Sequence, residues 1–374
     1  MNKKTWHVVF SLFLVLSLVL AACGSGGGSG SSSGSSSGTG GGTSAPAGGQ
    51  SSPSGSSGSG SSSGGASAPE KPKLEKTKLN IGLPTASASS FTPIYMGQSL
   101  GYYQDEGLQV EIIGMGGNSD AMLAIAGGSV DIVFTSLSGL LEAIKAGQEI
   151  YGFWGYNNGI EFTIHSKNGD SLADMKGKRI AISSFGGLTD FVTRVGLEMA
   201  GLDPEKDAEI LVISGGAPPK LAALEAGQID AAILTSPTSF EAIERGYKVI
   251  FSQADINPTW PTKIAIAHKN FIEKNPETIK AFLRALQRSV DHLIAHPEDG
   301  AKDLVNRVKY EERYSMMAME EIIPGFPPNG EIDLSGLETF WEISIRAGDV
   351  DEVWPEEKWL DRRFIDTASE WLRN

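Results

Sequence analysis

Short apolar runs alternate with helical patterns over residues 78–268. The runs are rich in Val, Ile and Leu and are bounded by Gly, Asp or Ser, which is typical of buried parallel strands. They predict strands at 78–83, 109–114, 132–135, 149–154, 161–165, 179–182, 209–213, 231–234, 248–251 and 262–268. Apolar positions at helical spacing predict helices at 93–100, 120–126, 138–146, 188–200, 219–226 and 239–245. This alternation predicts an α/β fold with parallel sheets.

After Asn270 the pattern becomes helical. The sequence Asn275-Pro276-Glu277 predicts a helix start, with an asparagine cap followed by a proline and an acid in the first turn. This helix can continue to His296, and further helices are predicted at 297–308, 335–347 and 361–372. The chain is therefore expected to end in a helical C-terminal region.

A unit of the α/β pattern occurs twice. Shifting residues 126–150 by 99 positions aligns Gly128 with Gly227 and Asp131 with Asp230. Each copy reads as a helix, a glycine, a short strand, a Thr-Ser pair and a second helix. The similarity reflects either a duplication or the convergence of two such units. Both interpretations place one unit in each of two α/β lobes.

Residues 1–22 have the pattern of a signal peptide. Two lysines precede an apolar run at 8–20, which is too short for a membrane span, and small residues follow it. The sequence Leu20-Ala21-Ala22-Cys23 matches a bacterial lipobox, in which the cysteine receives a diacylglyceryl group. We expect Cys23 to anchor the mature chain by acyl chains on the extracytoplasmic face of the cell membrane. Ordinary secretion with an incidental cysteine is the alternative.

Residues 23–70 predict a disordered tether. After the cysteine they consist almost wholly of Gly, Ser, Ala, Thr and Pro, which cannot bury enough apolar surface to fold. The flexible-chain relation gives such a tether a reach of about 35–40 Å.

Removal of Lys3 and Lys4 with the signal peptide takes the formal net charge from −14 to −16. This charge disfavours a nucleic-acid partner, and the remaining residues are enough for two domains.

Three glycine-rich loops follow predicted strands and open predicted helices, at 114–120, 183–190 and 214–217. Open α/β sheets bind ligands at such strand ends. Glycine lets a ligand approach the backbone, and free N–H groups at a helix start attract an electron-rich atom. The first loop is not a dinucleotide fingerprint, because Ser119 stands where the third glycine belongs. No Arg or Lys stands in these loops, so an anionic solute would depend on helix starts and hydroxyls.

Several motifs resemble those of ABC-importer solute-binding proteins for sulfonates, nitrate, thiamine precursors and riboflavin. Residues 79–136 contain LNIGLP, PIYMGQSLGYYQDEGLQVEI and GGNSDAMLAIAGGSVDIVFTS. Residues 174–237 contain DMKGKRIAISSFGG, EMAGLDPEKD and LAALEAGQIDAAILTSP. The resemblance covers nearly the whole folded part. It implies a lipoprotein of the periplasmic binding protein type II class.

This resemblance implies two lobes, each a mainly parallel sheet flanked by helices, that close on a small-molecule solute. The first lobe would comprise residues 78–167 and 264–374, and the second residues 168–263, with crossings near 163–168 and 257–264. The closed shape would dock on a membrane permease that works with a cytoplasmic ATPase. The resemblance implies a monomer with no metal and no cofactor.

Aromatic and amide side chains near the strand ends favour a flat heterocyclic solute, because rings can stack on it and amides can meet its polar atoms. The segment YGFWGYNNG at 151–159 is the clearest example. Riboflavin is therefore expected first and a thiamine-precursor pyrimidine next, and an aliphatic sulfonate such as taurine, or nitrate, is the alternative. The candidate ligand-binding residues are Ser90, Phe91, Tyr95, Asn118, Thr135, Ser136, Trp154, Tyr156, Asn157, Phe185, Gly186, Thr189, Pro237 and Trp260.

An enzyme that makes the thiamine pyrimidine is the alternative of another class, since one eukaryotic branch resembling this family has that activity. The chain has no H-E-x-x-H, no C-x-x-C and no phosphate loop. The pair His292 and His296 has helical i, i+4 spacing, but no third metal ligand is evident, so a solvated helix face is the simpler interpretation. We therefore expect a carrier without catalytic residues.

Overall fold

The computed structural model describes residues 72–257, 259–348 and 350–373. The predicted signal peptide, the predicted lipidation site Cys23 and the predicted tether to residue 70 lie outside the described residues. The described residues belong to one compact unit. No helix within the described ranges is both long and apolar enough to cross a membrane.

All ten predicted strands are present. The largest difference is at the fourth, which runs three residues beyond the predicted end, to Asn157. The strands are β1 Lys78–Leu83, β2 Gln109–Gly114, β3 Ile132–Thr135, β4 Ile150–Asn157, β5 Thr163–Ser166, β6 Arg179–Ile182, β7 Glu209–Val212, β8 Ala231–Leu234, β9 Lys248–Ser252 and β10 Lys263–His268.

The strands form two five-stranded sheets with the same plan. The first has the order β2-β1-β3-β10-β4, and the second has the order β7-β6-β8-β5-β9. In each sheet the first three strands are parallel, and the fourth in the order runs antiparallel to both of its neighbours. Each sheet is thus mainly parallel, as expected. The repeat seen in the sequence corresponds to equivalent β3 and β8 units, one in each sheet.

The antiparallel strand of each sheet enters from the other lobe. Strand β5 follows β4 along the chain but pairs with β8 and β9 in the second sheet, whereas β10 follows β9 and pairs with β3 and β4 in the first. The two crossings are therefore residues 158–162 and 253–262. The first lies before β5, earlier than the 163–168 that we expected. The apolar run of β5 identified a strand but could not identify the sheet to which it belongs.

Most predicted helices are also present, and three more appear. Sequence reasoning missed α2, α8 and α11, and the helix expected at 361–372 is two short helices. The helices are α1 Thr92–Ser99, α2 Tyr102–Asp105, α3 Asn118–Ala126, α4 Leu137–Lys145, α5 Leu188–Met199, α6 Ala217–Glu225, α7 Thr238–Glu244, α8 Lys269–Lys274, α9 Pro276–Ala295, α10 Pro297–Val308, α11 Glu312–Ile322, α12 Ser335–Ala347, α13 Arg363–Asp366 and α14 Ala368–Trp371.

The start of α9 is capped differently from the prediction. The Asn275 side chain makes no cap and instead donates to the Phe271 carbonyl. The carboxylate of Glu75 accepts from the backbone N–H groups of Glu277 and Thr278, at 3.2 and 2.9 Å. A residue some 200 positions away thus satisfies the free donors of the first turn, which a local pattern does not reveal.

Candidate functional site

A cleft lies where the two sheets meet. Its walls come from the carboxyl ends of parallel strands in both sheets, and the two crossings complete it. The cavity offers about 80 Å³ to the centres of water-sized molecules, several times the roughly 10–15 Å³ that one water needs. The lining residues are Pro84, Thr85, Ala88, Phe91, Gly117, Asn118, Phe134, Thr135, Ser136, Glu161, Phe162, Ser183, Ser184, Leu188, Thr189, Gly216, Ala217, Lys220, Thr235, Thr262 and Lys263.

The glycine-rich loops hold the lobes together across this cleft. The Gly215 N–H of the second lobe donates to the Gly116 carbonyl of the first at 2.9 Å. Gly216 has φ +89°, and a Cβ there would lie closer than 3.0 Å to the hydroxyl oxygens of Thr85 and Ser87. These glycines are therefore needed where the backbones of the two lobes approach each other. The lobes are in the closed arrangement.

Further contacts join the lobes around the cleft. The hydroxyls of Ser89 and Ser236 lie 2.8 Å apart, and Ser119 donates to the Phe185 carbonyl at 3.2 Å. Each pair has one member in each lobe. Together with the glycine contacts, they form only when the lobes are closed.

A buried ion pair links the two crossings. Glu161 lies on the first crossing, and its carboxylate accepts from Lys263, the residue that follows the second. Ser90 donates to the other carboxylate oxygen at 2.8 Å, and the Tyr156 hydroxyl donates to the Ser90 carbonyl at 2.6 Å. Burial lowers the pKa of Lys263 well below its ordinary value, although the adjacent carboxylate favours the charged form. This network holds together the two crossings, which form the hinge between the lobes and one side of the cleft.

Gln253 adds backbone contacts between the crossings. Its side-chain oxygen accepts from the Glu161 and Phe162 N–H groups at 3.3 and 3.4 Å. The backbone N–H of Gln253 donates to the Phe162 carbonyl at 2.9 Å. Thr262 donates to the Gly159 carbonyl. The two crossings are therefore held together by several hydrogen bonds between them.

The second lobe provides an amine and hydroxyls. Lys220, in the first turn of α6, is 2% exposed and donates to the Ser183 hydroxyl at 2.6 Å. Burial lowers the pKa of Lys220 to about 7, because a low-polarity environment disfavours the charged form. The neighbouring Ser184 hydroxyl is buried and has no hydrogen-bond partner among the described residues.

The first lobe and the hinge provide aromatic rings. Phe91 and Phe134 line the cleft and pack on Tyr156, with ring centroids 6.4 and 4.7 Å from it. Phe162 completes this apolar side, and the Lys263 ammonium lies 5.8 Å from its ring centroid. The cleft thus offers both aromatic rings and hydroxyls to a solute.

The structure brings five of the fourteen predicted site residues to the cleft wall. Two more, Ser90 and Tyr156, lie directly behind it in the Glu161 network. Thr135 donates to the Asn118 side-chain oxygen, which orients that amide. The five on the wall are Phe91, Asn118, Thr135, Ser136 and Thr189.

The predicted aromatic residues of β4 and the second crossing lie elsewhere. Trp154 is 3% exposed and packs in the first lobe against Trp371, with ring centroids 5.9 Å apart. Trp260 packs between Phe191 and Phe340. The ring sandwich expected from YGFWGYNNG is therefore not formed by Trp154, because its indole packs inside the first lobe and is not among the residues that line the cleft.

The other five predicted residues also lie off the wall. Tyr95 stacks under the Arg307 guanidinium, 3.9 Å from its ring centroid. The Asn157 side chain accepts from the Gly159 N–H at 2.9 Å and supports the turn into the first crossing. Phe185 and Gly186 line an outer groove beside α5, and Pro237 directly precedes α7.

Helix starts contribute less to the cleft than predicted. Asp120 and Asp190 stand in the first turns of α3 and α5 and offset their positive ends. The first turn of α6 has no acid, but Pro218 and Pro219 remove two of its N–H groups.

Sequence reasoning missed the charged residues of the cleft. Glu161 and Lys263 lie at the ends of the crossings, and Lys220 lies inside a helix, so a search of the glycine loops could not find them. The expectation that an anionic solute must rely on helix starts and hydroxyls is wrong, because Lys220 and Lys263 line the cavity. The one available signal was a lysine on the apolar face of α6.

His292 of α9 is engaged in local bonds, and His296 lies just beyond the end of that helix, so the two do not share one helix as predicted. The two ring nitrogens of His292 lie 3.1 Å from the Tyr102 hydroxyl and 3.1 Å from an Asp299 carboxylate oxygen. Among the described residues, no group of three or more His, Cys, Asp or Glu side chains is placed to hold a metal ion.

Two mixed sheets joined by two crossings around a cleft define the periplasmic-binding-protein fold. The alkanesulfonate-binding protein SsuA of Xanthomonas axonopodis pv. citri, bound to MOPS, has this fold. The two superpose with a TM-score of 0.63 at 16% identity, over 79% of this chain and 99% of that one. Residues 88–300 match the family described as NMT1/THI5 like. The chain therefore belongs to the NMT1/THI5-like family.

Curated relatives include both an enzyme and a binding protein. The chain is 28% identical over 237 residues to the 4-amino-5-hydroxymethyl-2-methylpyrimidine phosphate synthase of Schizosaccharomyces pombe, covering 57% of this chain and 65% of that protein. It is 28% identical over 196 residues to the taurine-binding periplasmic protein of Escherichia coli, covering 48% and 57%. The chain thus spans less than two thirds of the length of either relative.

Proposed function

We propose that this protein is the extracytoplasmic solute-binding component of an ABC importer. The observation that carries this proposal is the cleft whose walls come from two lobes in direct contact. A solute that touches both walls stabilises the closed arrangement by its differential affinity for it. The closed lobes then present one continuous surface to a membrane permease, which works with a cytoplasmic ATPase.

A small flat heterocycle fits the aromatic side of the cleft. Phe91, Phe134 and Phe162 offer apolar contact, and Asn118 and Ser136 offer polar groups to ring substituents. The limited space favours a thiamine-precursor pyrimidine over the larger riboflavin. An aliphatic sulfonate is the second candidate, and it is favoured by the buried amine of Lys220 and by the taurine-binding relative.

A pyrimidine-synthesising enzyme is the candidate of another class. It is favoured by the relatives named phosphate synthases. Incubation of the purified full chain with a bound solute separates the two classes. A carrier returns the solute unchanged at one equivalent per chain, whereas an enzyme releases a product that mass spectrometry detects.

We also propose that Cys23 carries a lipid that tethers the protein to the membrane. The support is the sequence Leu20-Ala21-Ala22-Cys23 followed by the Gly/Ser-rich segment. Wild-type protein should partition into detergent and pellet with membranes, and the Cys23→Ser variant should not. Equal partitioning of both forms would exclude the anchor.

A solute panel tests the transport proposal. The full chain is mixed with thiamine precursors, flavins, sulfonates and nitrate, and its melting temperature and tryptophan fluorescence are measured. One class should raise the melting temperature, and fluorescence should change because Trp260 lies on the second crossing, which moves when the lobes close. If no member of the panel binds, the transport proposal fails.

A further inference from the structure

Lys220 is a buried cation without an acidic partner. Its side chain lines the cleft, is 2% exposed and bonds only to the uncharged Ser183 hydroxyl among the described residues. An isolated charge in such a place is unfavourable unless a partner compensates it. An anionic group of the solute could therefore compensate the charge of Lys220.

We propose that Lys220, with the Ser184 hydroxyl, forms a subsite for an oxyacid group of the solute, a carboxylate or a sulfonate, and takes up a proton when that group binds. This proposal rests on the transport function, and it favours the sulfonate candidate, or an aromatic carboxylate, over a pyrimidine that has no acidic group. The solute has an apolar or aromatic body against the phenylalanine side and one acidic group against the second lobe.

The position of Lys220 strengthens the case for an anion. It lies in the first turn of α6, where the helix dipole is positive and a further cation is unfavourable. No acid stands in that turn, unlike the first turns of α3 and α5. Because Pro218 and Pro219 lack N–H groups, this helix start has fewer backbone donors, and the amine of Lys220 adds one.

A second donor is available nearby. The Ser184 hydroxyl is buried, lines the cleft and has no partner among the described residues. Buried hydroxyls are almost always hydrogen-bonded, so this one marks a place for a ligand atom. An oxyacid with two or three oxygens can accept from both Ser184 and Lys220.

The other charged groups on the wall do not compensate Lys220. These are Glu161 and Lys263, which pair with each other, and Glu161 also accepts from Ser90. Arg194 of α5 is engaged by Asp190 and Glu205. The lysine therefore contributes the uncompensated charge of the cleft when it is protonated.

Proton uptake follows from the electrostatics. Burial lowers the pKa of Lys220 in the empty cleft to about 7, and a bound anion raises it. Affinity for an acid should therefore be nearly constant below pH 7 and should fall above it, by up to about tenfold per pH unit. A solute without an acidic group should show no such slope from this lysine.

Matched pairs of small molecules test the subsite. Benzoate is compared with benzamide, and propanesulfonate with propanesulfonamide, by calorimetric titration of the full chain. Lys220→Met keeps the length of the side chain and removes the amine, and Lys178→Met on the exposed surface of the same lobe is the control. Lys220→Met should lower the affinity for the two acids about 10- to 100-fold, which is the contribution of a charge-assisted hydrogen bond. It should have little effect on the affinity for the two amides. Lys178→Met should change neither.

Titrations at pH 6 to 9 in buffers of different ionisation enthalpy measure the proton. Wild type should take up a proton with benzoate above pH 7, and Lys220→Arg, which remains charged, should not. These wild-type data stand even if Lys220→Met folds poorly. If amides bind as tightly as acids and no proton is taken up, the subsite proposal is wrong while solute capture remains. If neither these probes nor the nutrient panel bind, both proposals fall.

Discussion

Both lobes contribute hydroxyls to the cleft, but aromatic rings come from the first lobe and not the second, and the amine of Lys220 comes from the second. Both lobes have the same strand order and the same helix-glycine-strand unit. The 99-residue shift places Lys220 at the position of Ala121. Both residues are buried in the first half of equivalent helices, at 2% and 0% exposure. One scaffold thus carries two unlike walls, and a complete site exists only when they meet.

The contacts that hold the two lobes together are therefore different from the side chains that select the solute. Backbone contacts of glycine loops and the network of the two crossings set the closed geometry. The side chains that differ between equivalent positions decide which solute completes it. Each of the following changes tests one side of that separation.

The largest effect is expected at the hinge. Lys263→Met leaves the Glu161 carboxylate buried with one partner, Ser90, and should lower the free energy of unfolding by about 3–5 kcal/mol. Lys248→Met breaks the exposed pair with Asp170 and should cost no more than about 1 kcal/mol. Urea denaturation measures both. Equal losses would mean that the hinge pair has no special structural role.

A comparably large effect separates the first lobe's core from its cleft wall. Trp154→Ala should lower the free energy of unfolding by about 3–5 kcal/mol, because its indole packs against Trp371 and Gly330. The affinity of the folded fraction for a ring solute should not change. Phe162→Ala, on the wall, should weaken that solute about tenfold with a smaller loss of stability. If only Trp154→Ala weakened binding of the ring solute, the expectation that Trp154 stacks on the solute would be supported.

The second lobe should lose stability in mild acid. His165 on β5 is 0% exposed, its Nε2 bonds to the Thr163 hydroxyl at 2.8 Å, and burial lowers the pKa of His165 to about 4. Between pH 6.5 and 4 the unfolded chain binds a proton that the folded chain does not. Stability is therefore complete above pH 6.5 and should fall by about 2–3 kcal/mol as pH reaches 4. His165→Gln should flatten this slope in urea denaturation across that range; an unchanged slope would assign it to other groups.

A smaller effect is expected where the lobes touch. Gly216→Ala places a Cβ against Thr85 and Ser87, whereas Gly227→Ala, at φ +67°, meets nothing within 4 Å. Both should lose about 1–2 kcal/mol of stability from the left-handed backbone. Gly216→Ala should in addition weaken solute binding about tenfold, because it shifts the population away from the closed state. Small-angle scattering of both variants with solute measures closure, and identical profiles would show that the loop contact is dispensable.

The order of strands and helices could be predicted from local pattern. Runs such as 132–135 and 231–234 are bounded by turn residues and coincide with β3 and β8. The N-terminal cap of α9 could not be predicted, because Glu75 reaches it from another part of the chain. Of the predicted site residues, Asn118, Thr135 and Thr189 line the cleft. Whether they bind a solute stays a prediction.

The sequence by itself determined the α/β alternation, the two related lobes and the family, because apolar periodicity and motif spacing are properties of neighbouring residues. The tertiary structure alone decided which side chains face the cavity. Trp154 and Lys220 show why: one aromatic residue at a strand end turned into a lobe core, and one lysine on a helix turned into the cleft. That choice depends on how sheets and crossings pack over long chain separations, which no local pattern records.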